Sequence, residues 1–149
     1  AFMQRCREHD VCAVIIPDLP FEEREEILPF FKKYGIELIS MIAPTSKERI
    51  QRIAQEAEGF VYCVSSVGVT GIRKEIGDEV KDMIAQVKEV KNIPCAVGFG
   101  ISTPAQAETM ARFSDGVIVG SAIVKIIEEH GRNSVKPVLS YIDAMRKAI

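Results

Sequence analysis

The sequence has no tryptophan, two histidines and four cysteines in 149 residues. It also lacks an excess of either charge: 19 Lys and Arg face 21 Asp and Glu, a net charge of −2. No basic field argues for nucleic acid, and no acidic block argues for a solvating tail. The longest apolar run, VCAVII at 11–16, falls far below the roughly 20 residues that cross a bilayer. No charged start leads into an apolar segment, so a secretory signal is not expected and the expected compartment is the cytoplasm. The cysteines, at 6, 12, 63 and 95, show no CxxC spacing. Reduced thiols are the expectation, without a metal or redox motif. His9 and His130 stand alone among charged neighbours and suggest no base, acid or ligand role.

What is present is one pattern repeated. Apolar runs of strand length occur at 11–16, 36–42, 60–65, 94–99 and 116–120. They are continuous and rich in β-branched residues, as expected for parallel strands covered on both faces. Helices are punctuated between them. The segment 22–34 begins acidic, ends basic and stops at Gly35, with Pro29 expected to kink or shorten it. Thr45 and Glu48 form a capping-box pattern ahead of Ile50, Ile53, Ala54 and Ala57. Val80, Met83, Ile84 and Val87 repeat at i, i+3, i+4, i+7. Thr103, Pro104 and Gln106 open a further helix. Segments 121–129 and 134–148, separated by Gly131, complete the set, and 2–9 reads as a helix before the first strand. The order is a helix, five βα units and one extra helix, in one domain over 1–149. Two architectures fit: a complete doubly wound sheet, or part of a (βα)8 barrel, which needs about 250 residues in all.

Small residues cluster after the third, fourth and fifth strands, as VGVTG (67–71), GFGIS (98–102) and VGSAIV (119–124). Strand C-terminal ends are where ligands bind in α/β folds. Glycine lets backbone N–H groups approach a phosphate closely. Ser121 could cap its helix and also donate its hydroxyl. The plainer alternative makes Gly100 and Gly120 tight βα turns and Ser121 an ordinary N-cap. That alternative leaves the long segment 65–74 unexplained, and a loop of this composition suits a lid that closes over substrate.

PDLP (17–20), IAPTS (42–46), GFVYCVSSVGVTG (59–71), VGFGIS (97–102) and DGVIVGSAIVKIIEE (115–129) closely resemble the tryptophan synthase alpha subunit over essentially the whole chain. The resemblance implies a (βα)8 barrel of which this chain carries the last five βα units plus the C-terminal helix. It implies a lyase that cleaves indole-3-glycerol phosphate to indole and glyceraldehyde 3-phosphate. It also implies a partner beta subunit in an alpha2-beta2 assembly. That partner carries pyridoxal phosphate; no cofactor is expected in this chain. By the family pattern Gly71, Gly100, Gly120 and Ser121 surround the substrate phosphate. Tyr62 and Phe99 flank the indole and glycerol portion, Thr70 orders the closed lid, and Ile16, Ile42 and Ile118 are candidates for the apolar wall.

The resemblance also marks a gap. The family's catalytic glutamate and aspartate belong to barrel units before the fourth strand, where this sequence starts, so no catalytic residue is expected in this chain. A piece of a longer protein is the expected origin. Glu22, Glu23, Glu25 and Glu26 read as a solvated helix start, Asp115 precedes a strand, and Asp18 lies near the beta-subunit contact of the family. A competing reading is a non-catalytic module that binds a phosphate ester or docks on a beta subunit. Other phosphate-binding barrels, such as phosphoribosyl-anthranilate isomerases, are disfavoured by VGVTG and by the SAIVKIIEE ending.

Overall fold

The structure is a computed structural model that describes residues 1–64, 76–98 and 100–149. Its elements run α1 (Phe2–Glu8), β1 (Ala13–Val14), a 3₁₀ helix (Phe21–Glu26), α2 (Leu28–Tyr34), β2 (Glu37–Leu38), β3 (Ser40–Ile42), α3 (Lys47–Glu56), β4 (Val61–Val64), α4 (Ile76–Val90), β5 (Cys95–Gly98), α5 (Pro104–Ala111), β6 (Gly116–Ile118), α6 (Ser121–His130), a 3₁₀ turn (Gly131–Asn133) and α7 (Val135–Lys147).

Among the described residues every strand pairing is parallel and joins neighbours in sequence: β1 with β2 in a two-stranded sheet, and β3, β4, β5 and β6 in that order in a four-stranded one. The expected second strand, 36–42, divides at Ile39 because its two halves pair with different neighbours. Glu37 and Leu38 match Ala13 and Val14, whereas Ser40 to Ile42 match Val61 to Cys63. The Ile39 N–H still donates to the Val14 carbonyl at 3.0 Å, so the run bridges both ladders. A doubly wound sheet reverses its strand order at a switch point. No reversal occurs among the described strands, and their order is that of consecutive barrel units.

The helices cover one face. Ile42, Val61, Cys63, Cys95 and Val97 are at most 1% exposed and pack with Ile50 and Ile53 of α3, Val80, Met83 and Val87 of α4, Ala107 of α5 and Met145 of α7. Since successive strand residues alternate faces, Met41, Tyr62, Val64, Ala96 and Ile118 turn the other way and are only half-buried. A smaller core joins Cys6, Phe31 and Ile36, with Val14, Ile16 and Leu38 packed against it.

The helix boundaries follow local chemistry, with three departures from expectation. The segment 22–34 is two helices meeting at Ile27, with Pro29 in the first turn of α2, where its missing N–H is harmless. Gly35 ends α2 in the left-handed conformation, φ 63°. The Thr45–Glu48 capping box does not form. Ser46 takes the extended backbone of an N-cap instead, and its hydroxyl accepts from the Arg49 N–H at 3.3 Å. Ser121 is not a cap either: Gly120 holds that position and Ser121 is the first helical residue. At α5 the Thr103–Gln106 capping box forms in full.

Candidate functional site

Two rows of side chains cross the face that the helices leave open. One is Met41, Tyr62, Ala96 and Gly116, and the next is Val64, Gly98 and Ile118, each row set by strand register. Small residues at 96, 98 and 116 make room for the Tyr62 ring: a β-carbon added at Gly98 would lie 2.1 Å from its hydroxyl. Among the described residues of these rows Tyr62 is the only one with a titratable side chain.

The C-terminal rim of this face lies beyond β5 and β6. Gly98 pairs with Ile118, so Gly100 and Gly120, each two residues further on, leave neighbouring strands at one level. Gly100 has φ 78°, a left-handed conformation that a β-carbon would strain. Gly120 and Ser121 are exposed at the start of α6, where the Ile123 N–H donates to the Gly120 carbonyl at 3.0 Å and the Ser121 and Ala122 N–H groups precede the first intrahelical bond. Behind the rim, the Tyr141 hydroxyl of α7 donates to the Ser102 carbonyl at 2.9 Å and ties down the loop that carries Gly100. Partial burial raises the Tyr141 pKa. Nothing in the sequence pattern singles out Tyr141, because its partner is a backbone atom in another unit.

The remaining predicted site residues divide three ways. Tyr62 and Ile118 stand on the open face. Ile42 does not: it is 1% exposed within the helix-facing core, packed among α3 and α4 side chains, and is no wall for a ligand. Ile16 packs against the core around Phe31 and also lines a cavity past the ends of β1 and β3, and the neighbouring Ile15 takes the opposite face. Thr70, Gly71, Phe99 and the proposed lid at 65–74 lie outside the described residues. Glu22, Glu23, Glu25 and Glu26 are exposed, and Glu22 pairs with Arg49 at 2.6 Å, which lowers its pKa. Asp115 lies at the opposite end of β6 from the rim, accepting from Lys88 Nζ at 2.9 Å and from the Cys95 N–H at 2.8 Å. Asp18 is exposed after β1.

This cavity, of about 420 Å³, shares Met41 with the first row and opens beneath the 3₁₀ helix and α3. Buried Arg24 lines it, a residue that sequence reasoning missed inside the run EEREE. Its i, i+3 spacing from Phe21 is the signal that places both on one face.

Among the described residues no helix is long and apolar enough to cross a membrane, and no group of three His, Cys, Asp or Glu could hold a metal ion.

The fold and the order of its loops match known proteins. The family profile of the tryptophan synthase alpha chain matches residues 1–148. The tryptophan synthase alpha chain of Lacticaseibacillus casei is 46% identical over 149 residues, covering 100% of this chain and 56% of the relative. The solved tryptophan synthase alpha subunit of Campylobacter jejuni superposes with a TM-score of 0.85 at 30% identity, over 97% of this chain and 57% of that one. A structure of the tryptophan synthase α2β2 complex of Pyrococcus furiosus gives 0.83 at 32%, over 98% and 60%. The chain thus spans little more than half the length of these relatives. With a sequential parallel sheet, helices on one face and a match along nearly its whole length, the chain belongs to the tryptophan synthase alpha chain family and has the architecture of part of its (βα)8 barrel.

Proposed function

We propose that this chain supplies the phosphate-gripping part of an alpha-type tryptophan synthase lyase, which cleaves indole-3-glycerol phosphate to indole and glyceraldehyde 3-phosphate. One observation carries the reading: Gly100 and Gly120 leave adjacent, registered strands at one level, next to the Ser121 and Ala122 N–H groups that open α6. A dianionic ester at that rim would accept from backbone donors and gain from the positive helix end. Tyr62, Ile118 and the small residues beside them would hold the apolar portion of the substrate. Gly71, Thr70 and Phe99 belong to the same proposed site by family pattern.

Carbon–carbon cleavage needs a positioned acid–base group near the reacting carbon. The described open-face rows hold no carboxylate or imidazole, so the chain alone binds without turnover, and catalysis requires carboxylates from elsewhere in the barrel. Docking on a pyridoxal-phosphate-bearing beta subunit belongs to the same proposal, in line with the α2β2 complex of the Pyrococcus relative. Four free thiols suit a reducing cytoplasm.

The test is to titrate the chain with glycerol 3-phosphate and, separately, to assay indole release from indole-3-glycerol phosphate. Saturable binding, weakened by Ser121→Glu at unchanged stability, supports the grip. Unaltered affinity in that variant reduces the glycine corners to plain turns, and indole release by the chain alone refutes the claim about its missing acid–base group.

A further inference from the structure

We propose that the cavity beneath the 3₁₀ helix binds a small organic monoanion, a carboxylate carried on an apolar or aromatic body. Its volume, about 420 Å³, falls in the range of small-molecule sites, roughly 300–1,000 Å³. The floor is apolar, made by Leu38, Ile39, Met41 and Ile53. Among the described residues, the charged side chains that line it are Arg24 and Arg49, and no carboxylate does.

The two arginines are held differently. Arg24 has a side chain only 9% exposed, pairs with the half-exposed Glu56 and stacks on Phe21, 4.3 Å from the ring centroid. Arg49 stands near the entrance, 46% exposed, and pairs with Glu22. Arg52 adds a third guanidinium over the same Phe21 ring, at 5.2 Å. One carboxylate engages part of a guanidinium's five-donor fork, and the remaining donors of a buried arginine favour a second acceptor. A cavity with cationic edges and an apolar floor selects a ligand that is anionic at one end and greasy at the other. Phosphate alone would gain nothing from the apolar floor, and a neutral hydrocarbon would gain nothing from the guanidinium donors left over from the Glu56 and Glu22 pairs.

This proposal does not depend on the phosphate rim. The cavity borders β1 and β3, whereas Gly100 and Gly120 follow β5 and β6, with β4 between them.

The experiment titrates the full chain with phenylacetate and with phenylacetamide, its uncharged counterpart, followed by calorimetry and by NMR shifts. Phenylacetate should saturate one site and bind at least about tenfold more tightly than the amide, the ratio expected for one charge-assisted contact. Glycerol 3-phosphate should not compete. Arg49→Gln, at an exposed position, should weaken phenylacetate and leave the amide unchanged. Arg24→Met should abolish the difference between the two ligands. Should Arg24→Met unfold, the acid-to-amide ratio and Arg49→Gln decide the matter. Equal affinity for acid and amide, absence of saturation, or an Arg49→Gln chain that binds phenylacetate normally overturns the proposal.

Discussion

The Tyr62 hydroxyl fills the space where Gly98 would carry a side chain: a β-carbon there would approach the hydroxyl to 2.1 Å and the ring carbons to 2.5 and 2.8 Å. Gly98→Ala must therefore push the ring aside. Overpacking of this kind costs roughly 1–3 kcal/mol. The predicted loss appears as a lower denaturation midpoint, and Tyr62→Val in the same chain should recover most of it. The double-mutant cycle is the measurement, since touching residues are non-additive. Losses that simply add would show that the two do not meet.

Asp115 gives a pH dependence of definite sign. Its hydrogen bond with Lys88 and that from the Cys95 N–H hold its pKa below the ordinary aspartate value, about 3.9. Between the folded and unfolded pKa values the unfolded chain binds more protons, so stability falls as pH drops through that window. At neutral pH Asp115→Asn should be less stable than the parent, by about 1 kcal/mol as for an ordinary hydrogen bond. The gap should close as the pH is taken below about 4. Thermal melts of both chains from pH 7 to 3 check it, and a gap that widens on acidification would count against the assignment.

Tyr141 reaches from the last helix to the Ser102 carbonyl, 2.9 Å away. Tyr141→Phe removes that donor while keeping the ring. The expected stability loss is modest, about 1 kcal/mol. Amide exchange at the loop that carries Gly100 and Ser102 should accelerate more than exchange elsewhere. Uniform acceleration across the chain would mean that the hydroxyl is merely part of the packing. If the rim grips phosphate as proposed, glycerol 3-phosphate affinity should drop with the local exchange change.

Much of this fold was legible in the letters, and each failure has a physical cause. The faces of α3 and α4 follow from their i, i+3, i+4 spacing, and Ile50, Ile53, Val80, Met83 and Val87 are buried as that spacing requires. The strands were found but overextended, because apolar runs continue past the residues that have a ladder partner. Their phase was not readable. In a parallel sheet both faces are apolar, so the run SMIAP gives no sign of which of Met41 and Ile42 meets the helices. The phase shows where small or polar residues occur: Tyr62, Ala96, Gly98 and Gly116 alternate with Val61, Cys63, Cys95 and Val97. Arg24 stayed hidden because a charge amid four glutamates reads as solvated, and only the cavity between separate elements gives it a buried place.

The buried thiols provide a chemical test of that phase. Cys63 and Cys95 are both 0% exposed on the helix-facing side, on adjacent strands, and all four cysteines are free. Cys95 pairs in register with Val61, two residues before Cys63. From strand spacing and rise, this offset sets the two α-carbons about 8 Å apart, beyond disulfide reach. A hydrogen bond with Cys95 and burial together push the Cys63 thiol pKa far up, so it presents almost no thiolate to an electrophile. Iodoacetamide should therefore modify exposed Cys12 in the native protein, while Cys63 and Cys95 react only as fast as the chain unfolds. Peptide mass spectrometry over time separates the sites, and adding denaturant should raise the slow rates to that of Cys12. Native-state labelling of Cys63 at the Cys12 rate would place β4 in the opposite phase, which would remove Tyr62 from the open face.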